Sequence, residues 1–267
     1  VLNVSVGKLF AAALLPGVLL VFVYIAYVLV YSRIRPQKAP PMPAEEIAAF
    51  KQDGYGWKVF RAFFLPFMLI VAVLGSIFAG IASPTEAAAV GAMGATILTL
   101  LEGRLNWDTL RAVVQQTTHL TSMVFIILVG ATTFSFVFRE MGGDQYLIEL
   151  IEGANLSANE FLLLVMLVVF VAGFFIDFIE IIFILVPVVA PIFVRFDISL
   201  IWIGILLGLN LQTSFLSPPF GFSLFYLKGV APPDVTTGQL YRGILPFVII
   251  QLVFLLAIIF FPGIIQL

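Results

Sequence analysis

The sequence of 267 residues contains no cysteine and a single histidine, His119. Disulfides, thiolate metal sites and multi-histidine metal or haem centres are thereby excluded. Charge is scarce as well. Lys and Arg number 13 and Asp and Glu 15, so that 10% of residues are charged and the net charge is -2. So few charges offer no basic face for a nucleic-acid backbone, which removes nucleic acid as a partner. No basic stretch precedes an apolar core at the amino terminus, and the first residue is Val1 rather than Met. No signal peptide is expected, and the chain is expected to be the carboxyl-terminal part of a longer one.

Hydrophobic side chains make up 62% of the sequence and the mean hydropathy is +1.16, whereas a soluble domain carries roughly 25% charged residues. Runs free of Lys, Arg, Asp and Glu extend from Leu9 to Tyr31, Ala62 to Thr85, Ala112 to Phe138, Ile198 to Leu227 and Gly243 to Leu267. Each reaches the ~20 residues that a membrane helix needs. The expected class is an all-α polytopic integral membrane protein, with the lipid bilayer as its solvent.

Two polar segments set the orientation. Between Ser32 and Arg61 lie Arg33, Arg35, Lys38, Lys51, Lys58 and Arg61 against three acidic residues, with Pro36, Pro40, Pro41 and Pro43 keeping the backbone irregular. By the positive-inside rule this loop is cytoplasmic. The segment from Arg139 to Glu160 has one basic residue and the acids Glu140, Asp144, Glu149, Glu152 and Glu160, which places it outside.

Length arithmetic then locates the breaks. Residues 66–101 as one helix would measure ~54 Å against a hydrocarbon core of ~30 Å. The segment must turn, and Ser83-Pro84-Thr85-Glu86 reads as a capping box with proline in the first helical position. Residues 102–116 place Leu105, Leu110, Val113 and Val114 near one face with charges on the other, the pattern of an interfacial arm helix. Tyr55 to Phe64 is a weaker case of the same kind. The stretch Phe161 to Val194, apolar except for Asp177 and Glu180, would be ~51 Å long as one helix. It reads as a re-entrant hairpin with Gly173 to Glu180 at its tip. Pro218 and Pro219 remove two backbone donors, so the helix over 198–228 is expected to open near Gln212 to Gly221.

Chemistry is expected at those two breaks. Asp177 and Glu180 are three apart, which puts them on one side of a helical tip. At membrane depth each is costly unless hydrated, paired or bound to a cation; at the interface both would simply face water. Asn210, Gln212, Thr213, Ser214 and Ser217, with Ser223 nearby, form the densest group of neutral oxygens in any span. Such oxygens suit a hard cation, although a proline kink also uses polar side chains to satisfy freed backbone groups. The candidate ion ligands are therefore Asn210, Gln212, Thr213, Ser214, Ser217, Gly173 and Asp177. The candidate substrate contacts are Pro218, Pro219, Gly221 and Glu180. Gly75, Gly80, Gly91 and Gly94 are read as close helix packing, and His119 as structural or interfacial.

The run Gly80-Ile81-Ala82-Ser83-Pro84-Thr85-Glu86-Ala87-Ala88-Ala89-Val90-Gly91, with Asn210 and Ser217-Pro218-Pro219-Phe220-Gly221, resembles the large membrane subunit of tripartite ATP-independent periplasmic (TRAP) transporters, the DctM-like family. Val6-Gly7-Lys8-Leu9-Phe10 and Leu15-Pro16-Gly17 resemble the middle of such a subunit. Residues 142–153, 173–192, 210–238 and 241–247 look most like the branch whose members carry names for mannitol or chloroaromatic compounds. The family usually has Thr where Ser217 stands, which keeps the hydroxyl.

The resemblance implies an elevator-type, sodium-driven importer of two inverted repeats. This chain would hold a connecting helix over 1–31, a cytoplasmic loop and interfacial helix over 32–65, and the second repeat over 66–267. That repeat would comprise a helix pair (66–101), an arm (102–116), a span (117–138), the hairpin (161–194), the broken helix (198–228) and a last span (241–267). Implied partners are a small four-helix membrane subunit, a periplasmic substrate-binding protein and an organic acid substrate. Sodium would be the coupling ion, with no other metal and no cofactor. Competing expectations are proton coupling through Asp177, a membrane-embedded enzyme with Asp177 and Glu180 as an acid pair, and a non-transporting scaffold fragment.

Overall fold

The computed structural model describes residues 2, 4–41, 43–51, 55–217, 222–232 and 235–264, and every regular element among them is helical. In chain order these are α1 (Val6–Ile34), α2 (Ala44–Lys51), α3 (Tyr55–Phe78), α4 (Pro84–Leu101), α5 (Trp107–Glu140), α6 (Gly143–Gly153), α7 (Ala158–Ala172), α8 (Phe178–Arg195), α9 (Leu200–Leu216), α10 (Phe222–Val230) and α11 (Thr237–Phe260). Among the described residues α1, α3, α4, α5, α8 and α11 are long and apolar enough to cross a membrane. The chain divides into two compact units, one of Val1–Tyr24 with Leu120–Leu267 and one of Ile25–His119.

In the unit Ile25–His119, α3 and α4 form an antiparallel hairpin. The chain reverses over Ala79–Ser83, where Gly80 adopts φ +68°, a conformation that costs glycine least. The capping box forms: Ser83 Oγ accepts from the Glu86 amide at 3.4 Å and Glu86 Oε2 accepts from the Ser83 amide at 2.7 Å. At the other end Arg61 pairs with Glu102 at 3.0 Å and donates to the Leu101 carbonyl at 3.2 Å. The two ends of the 66–101 segment therefore return to one side. Gly94 lets the helices touch, because a Cβ there would collide with the Leu69 side chain.

Two expected divisions do not occur. The arm over 102–116 and the span over 117–138 are one helix, α5, 34 residues long. Asn106 starts it by accepting the Thr109 amide at 2.8 Å, and no Gly or Pro stands between Trp107 and Val129 to stop it. The amphipathic pattern sorted the faces of the first turns but supplied no terminator. Likewise the interfacial piece Tyr55–Phe64 is continuous with α3, which runs through Pro66.

The unit Val1–Tyr24 with Leu120–Leu267 carries the main core. Helix α9 is its axis, packed on one side against α7 and on the other against α11, with α8 and α10 alongside. Leu162, Val169, Val186, Phe193, Ile203, Leu206 and Ile258 are almost completely buried. Burying each side chain of this size contributes roughly 1.5–3 kcal/mol in water, but lipid is as apolar as leucine, so close packing rather than dehydration holds these helices together. The α6–α7 connection bends by 119°, and Ser157 and Glu160 form a second capping box at the start of α7. Glu152 at the end of α6 pairs with Arg195 at the end of α8 at 2.5 Å.

Candidate functional site

Residues 161–194 fold as most of α7, a five-residue turn over Gly173–Asp177, and α8. The tip is shorter than expected, because Phe178–Glu180 already belong to the first turn of α8. Asp177 is not helical. It sits at the N-cap with φ -67° and ψ 150°, its Oδ1 accepting the Phe178 amide at 2.8 Å, while Glu180 occupies the third helical position. Both carboxylates gain from the positive end of the helix dipole. Together they set a negative potential there, which repels an organic anion and favours a cation.

Helix α9 remains regular through Leu216, so the opening begins only at Ser217, whose backbone is extended at φ -99° and ψ 144°. Pro218, Pro219 and Gly221, the expected substrate contacts, lie outside the described residues. Asn210, Thr213, Ser214 and Ser217 are all buried. They recur at i, i+3, i+4 and i+7 and so share one helical face. Gln212 is exposed: two residues advance a helix by ~200°, which turns it away from Asn210. The structure therefore separates Gln212 from the other four.

Within that face the polar groups differ. Thr213 Oγ1 donates to the Leu209 carbonyl at 3.1 Å and Ser217 Oγ to the Ser214 carbonyl at 3.2 Å. Asn210 Nδ2 donates to the Met166 carbonyl on α7 at 2.6 Å. A carbonyl only accepts, so the amide nitrogen must face Met166 and Oδ1 must point away. Asn210 Oδ1 and Ser214 Oγ are then buried without a hydrogen-bond partner among the described residues. They lie one turn apart. A buried polar atom left without a partner costs about 1–3 kcal/mol, and here two such atoms lie on adjacent turns of one face.

Ser214 also lines a cavity of about 220 Å³ between the hairpin tip and α9, bounded by Gly173, Phe175, Ile176, Asp177, Phe178, Glu180, Leu211, Ser214 and Phe215. Gly173 closes it by contact, since a Cβ at that position would run into Ser214 Oγ. Phe178 and Phe215 wall another side with ring centroids 5.1 Å apart. The cavity thus unites Gly173, Asp177, Glu180 and Ser214. Asn210, Thr213 and Ser217 lie on the same buried face of α9 without lining it.

Three residues at the candidate site escape sequence reading. Met166 contributes a backbone carbonyl, for which no sequence signal exists. Phe178 and Phe215 are two among 28 phenylalanines, and only their proximity singles them out. Among the described residues no three His, Cys, Asp or Glu come together, so the groups offered to a cation are one carboxylate pair and neutral oxygens. Asp177 and Glu180 also begin the same helix rather than facing each other from two helices, which is unfavourable for an acid pair that must hold a water between them.

Comparison with known proteins agrees with this architecture. Residues 1–264 match the family described as tripartite ATP-independent periplasmic transporter, DctM component. The C4-dicarboxylate TRAP transporter large permease protein DctM of Rhodobacter capsulatus is 31% identical over 98% of this chain and 58% of its own length. The protein of the same name in Pseudomonas aeruginosa is 31% identical over 97% of this chain and 59% of its own. The sialic acid TRAP transporter permease protein SiaT of Haemophilus influenzae is 30% identical over 98% of this chain and 41% of its own. The chain thus spans about three-fifths of the length of the two dicarboxylate permeases.

Proposed function

The chain belongs to the DctM component family of tripartite ATP-independent periplasmic transporters, and from that membership we propose that it forms the second repeat of a permease subunit that couples sodium entry to the import of a small organic acid. It is a multi-pass protein of the bacterial inner membrane. In this reading a periplasmic binding protein delivers the acid and a small membrane subunit completes the permease. Relatives are named for C4-dicarboxylate, sialic acid and isethionate, all of which carry an acid group, and this supports the substrate class.

The observation that carries the sodium reading is the pair of buried, unpartnered oxygens, Asn210 Oδ1 and Ser214 Oγ. Sodium is hard and monovalent, and neutral oxygens compensate its dehydration without fixing it irreversibly. Asp177 and Glu180, which line the neighbouring cavity, raise the local cation concentration. The substrate carboxylate finds its favourable partner elsewhere. Helix α10 has no acid in its first turn, so its positive dipole end suits an anion. Carriage of the hairpin and the broken helix as one body past the rest of the subunit follows from the same reading.

The decisive experiment is uptake by the assembled three-part transporter in proteoliposomes, with and without an inward sodium gradient, for wild type, Asn210→Ala and Ser214→Ala. Sodium-driven uptake whose half-saturating sodium concentration rises in both variants supports the proposal. Equal uptake without the gradient overturns it. Because two carboxylates line the cavity, the competing reading is proton coupling, under which a pH gradient drives uptake and Asp177→Asn abolishes that dependence.

A further inference from the structure

Outside the cavity one glutamine among the described residues is fully buried, Gln251, on the inner face of α11. Both ends of its amide are used. Nε2 donates to the Leu209 carbonyl of α9 at 3.1 Å, and Oε1 accepts the Tyr24 hydroxyl of α1 at 3.0 Å. The orientation is forced, because the flipped amide would set its oxygen against a carbonyl that can only accept. The Tyr24 ring is itself held edge-on against Phe247, with centroids 5.3 Å apart. Thr213 Oγ1 donates to the same Leu209 carbonyl. Two side-chain donors thus converge on one helical carbonyl, and that carbonyl belongs to the peptide unit that leads into Asn210.

We propose that Gln251, braced by Tyr24, is a positioning residue that fixes the rotation of α9 so that Asn210 Oδ1 and Ser214 Oγ are held one turn apart on the same buried face. The inference rests on the reading of those two oxygens as ligands of sodium. Helix α9 ends at Leu216 and cannot lean on a continuous helix beyond it, so its setting must come from the side. Met166 grips it from α7 through Asn210 Nδ2; Gln251 grips the preceding peptide from α11. Removing the second grip leaves α9 free to turn about the first, and a small rotation separates oxygens that must converge within ~2.5 Å of one ion. A buried polar bond that served folding alone would affect stability and leave sodium affinity unchanged.

The test uses the assembled transporter in proteoliposomes, with initial uptake measured against sodium concentration for wild type, Gln251→Leu, Gln251→Glu and Tyr24→Phe. Thermal unfolding of each without sodium serves as the measure of fold. Gln251→Leu is expected to raise the half-saturating sodium concentration about tenfold, the scale of effect seen when a ligand's supporting partner is removed, with the substrate KM at saturating sodium unchanged. Gln251→Glu distinguishes positioning from packing. A neutral carboxylic acid can donate to Leu209 and accept from Tyr24, whereas a carboxylate presents an oxygen to an oxygen.

The Gln251→Glu transporter should therefore need near wild-type sodium at about pH 5.5 and approach Gln251→Leu at about pH 8, each compared with wild type at the same pH. Tyr24 is the titratable group that faces this position from α1. Helix α9 has none, Tyr241 and Arg242 lie more than two turns away along α11, and Lys228 of α10 is bonded to the Val235 carbonyl. Tyr24→Phe should shift sodium dependence in the same direction by a smaller factor. Unshifted sodium dependence in folded variants, or a Gln251→Glu transporter that tracks Gln251→Leu at both pH values, overturns the inference while the sodium reading stands. Wild-type uptake that ignores sodium overturns both. Should Gln251→Leu fail to fold, Gln251→Glu and Tyr24→Phe still decide the outcome.

Discussion

At the scale of single residues the site depends on contacts with no spare room. Gly173 is helical in conformation, at φ -63°, so its importance lies in space rather than in backbone freedom. Gly173→Ala drives a methyl group into Ser214 Oγ, and overpacking of this kind costs about 1–3 kcal/mol. The expected result is a lower unfolding temperature in detergent together with a higher sodium requirement; unchanged stability would show that α7 and α9 are not in contact there. Ser214 and Gln212 make a contrasting pair two residues apart. Ser214→Ala removes one of the unpartnered oxygens and is expected to weaken sodium-dependent uptake several-fold, about 1–2 kcal/mol if one charge–dipole contact is lost. Gln212→Ala removes an exposed amide and is expected to leave the sodium response within about twofold, since surface substitutions are usually within ±0.5 kcal/mol.

At the scale of helices, α8 poses a specific problem. It contains Pro187 and Pro191, and Pro191 has no N–H to give the carbonyl four residues back. Arg139, at the end of α5, supplies the missing donor: its Nη2 lies 3.0 Å from the Pro187 carbonyl, and Nε lies 3.6 Å from Asp144 Oδ2. A cavity of about 490 Å³ lined by Leu128, Thr132, Ser135 and Phe183 opens between the same two helices, so this bond bridges a gap that side chains do not fill. Arg139→Ala should lower stability by about 1 kcal/mol, allowing for a half-exposed guanidinium. Pro191→Ala restores the helical donor, so the same Arg139 substitution should cost measurably less in that background. A double-mutant cycle on unfolding free energies with no coupling between the two positions would rule out this pairing. In the other unit, Ser83→Ala removes one half of the capping box and should cost about 1 kcal/mol.

At the scale of the whole chain, the absence of cysteine makes topology directly measurable. Three helices long enough to span the bilayer, α3, α4 and α5, lie between the basic segment around Lys38 and the acidic one around Asn155, and an odd number of crossings leaves the two segments on opposite sides. With Lys38→Cys and Asn155→Cys introduced separately, a membrane-impermeant maleimide applied to spheroplasts should label the second and spare the first. The reverse pattern would invert the positive-inside assignment. Neither position is buried, so the labelling reports sidedness rather than access within the fold.

The sequence by itself determined what local physics controls. Apolar run length and sparse charge gave a polytopic helical membrane protein. Helix length against bilayer thickness required turns within 66–101 and 161–194, and Ser83 with Glu86 marked the first because a capping box is written in four consecutive residues. The same local rules overreached where a pattern lacked a stop signal: the arm over 102–116 joins the following span because no residue breaks α5. Only the tertiary structure decided which polar residues lie together. Gln212 parts from Asn210 through helical phase, Met166 enters the site through a backbone carbonyl, and Gln251 meets Leu209 across 42 residues of sequence. Hydrogen-bond satisfaction is a property of the packed molecule. A buried oxygen without a partner cannot be recognised until every neighbour that could have bonded it is in place.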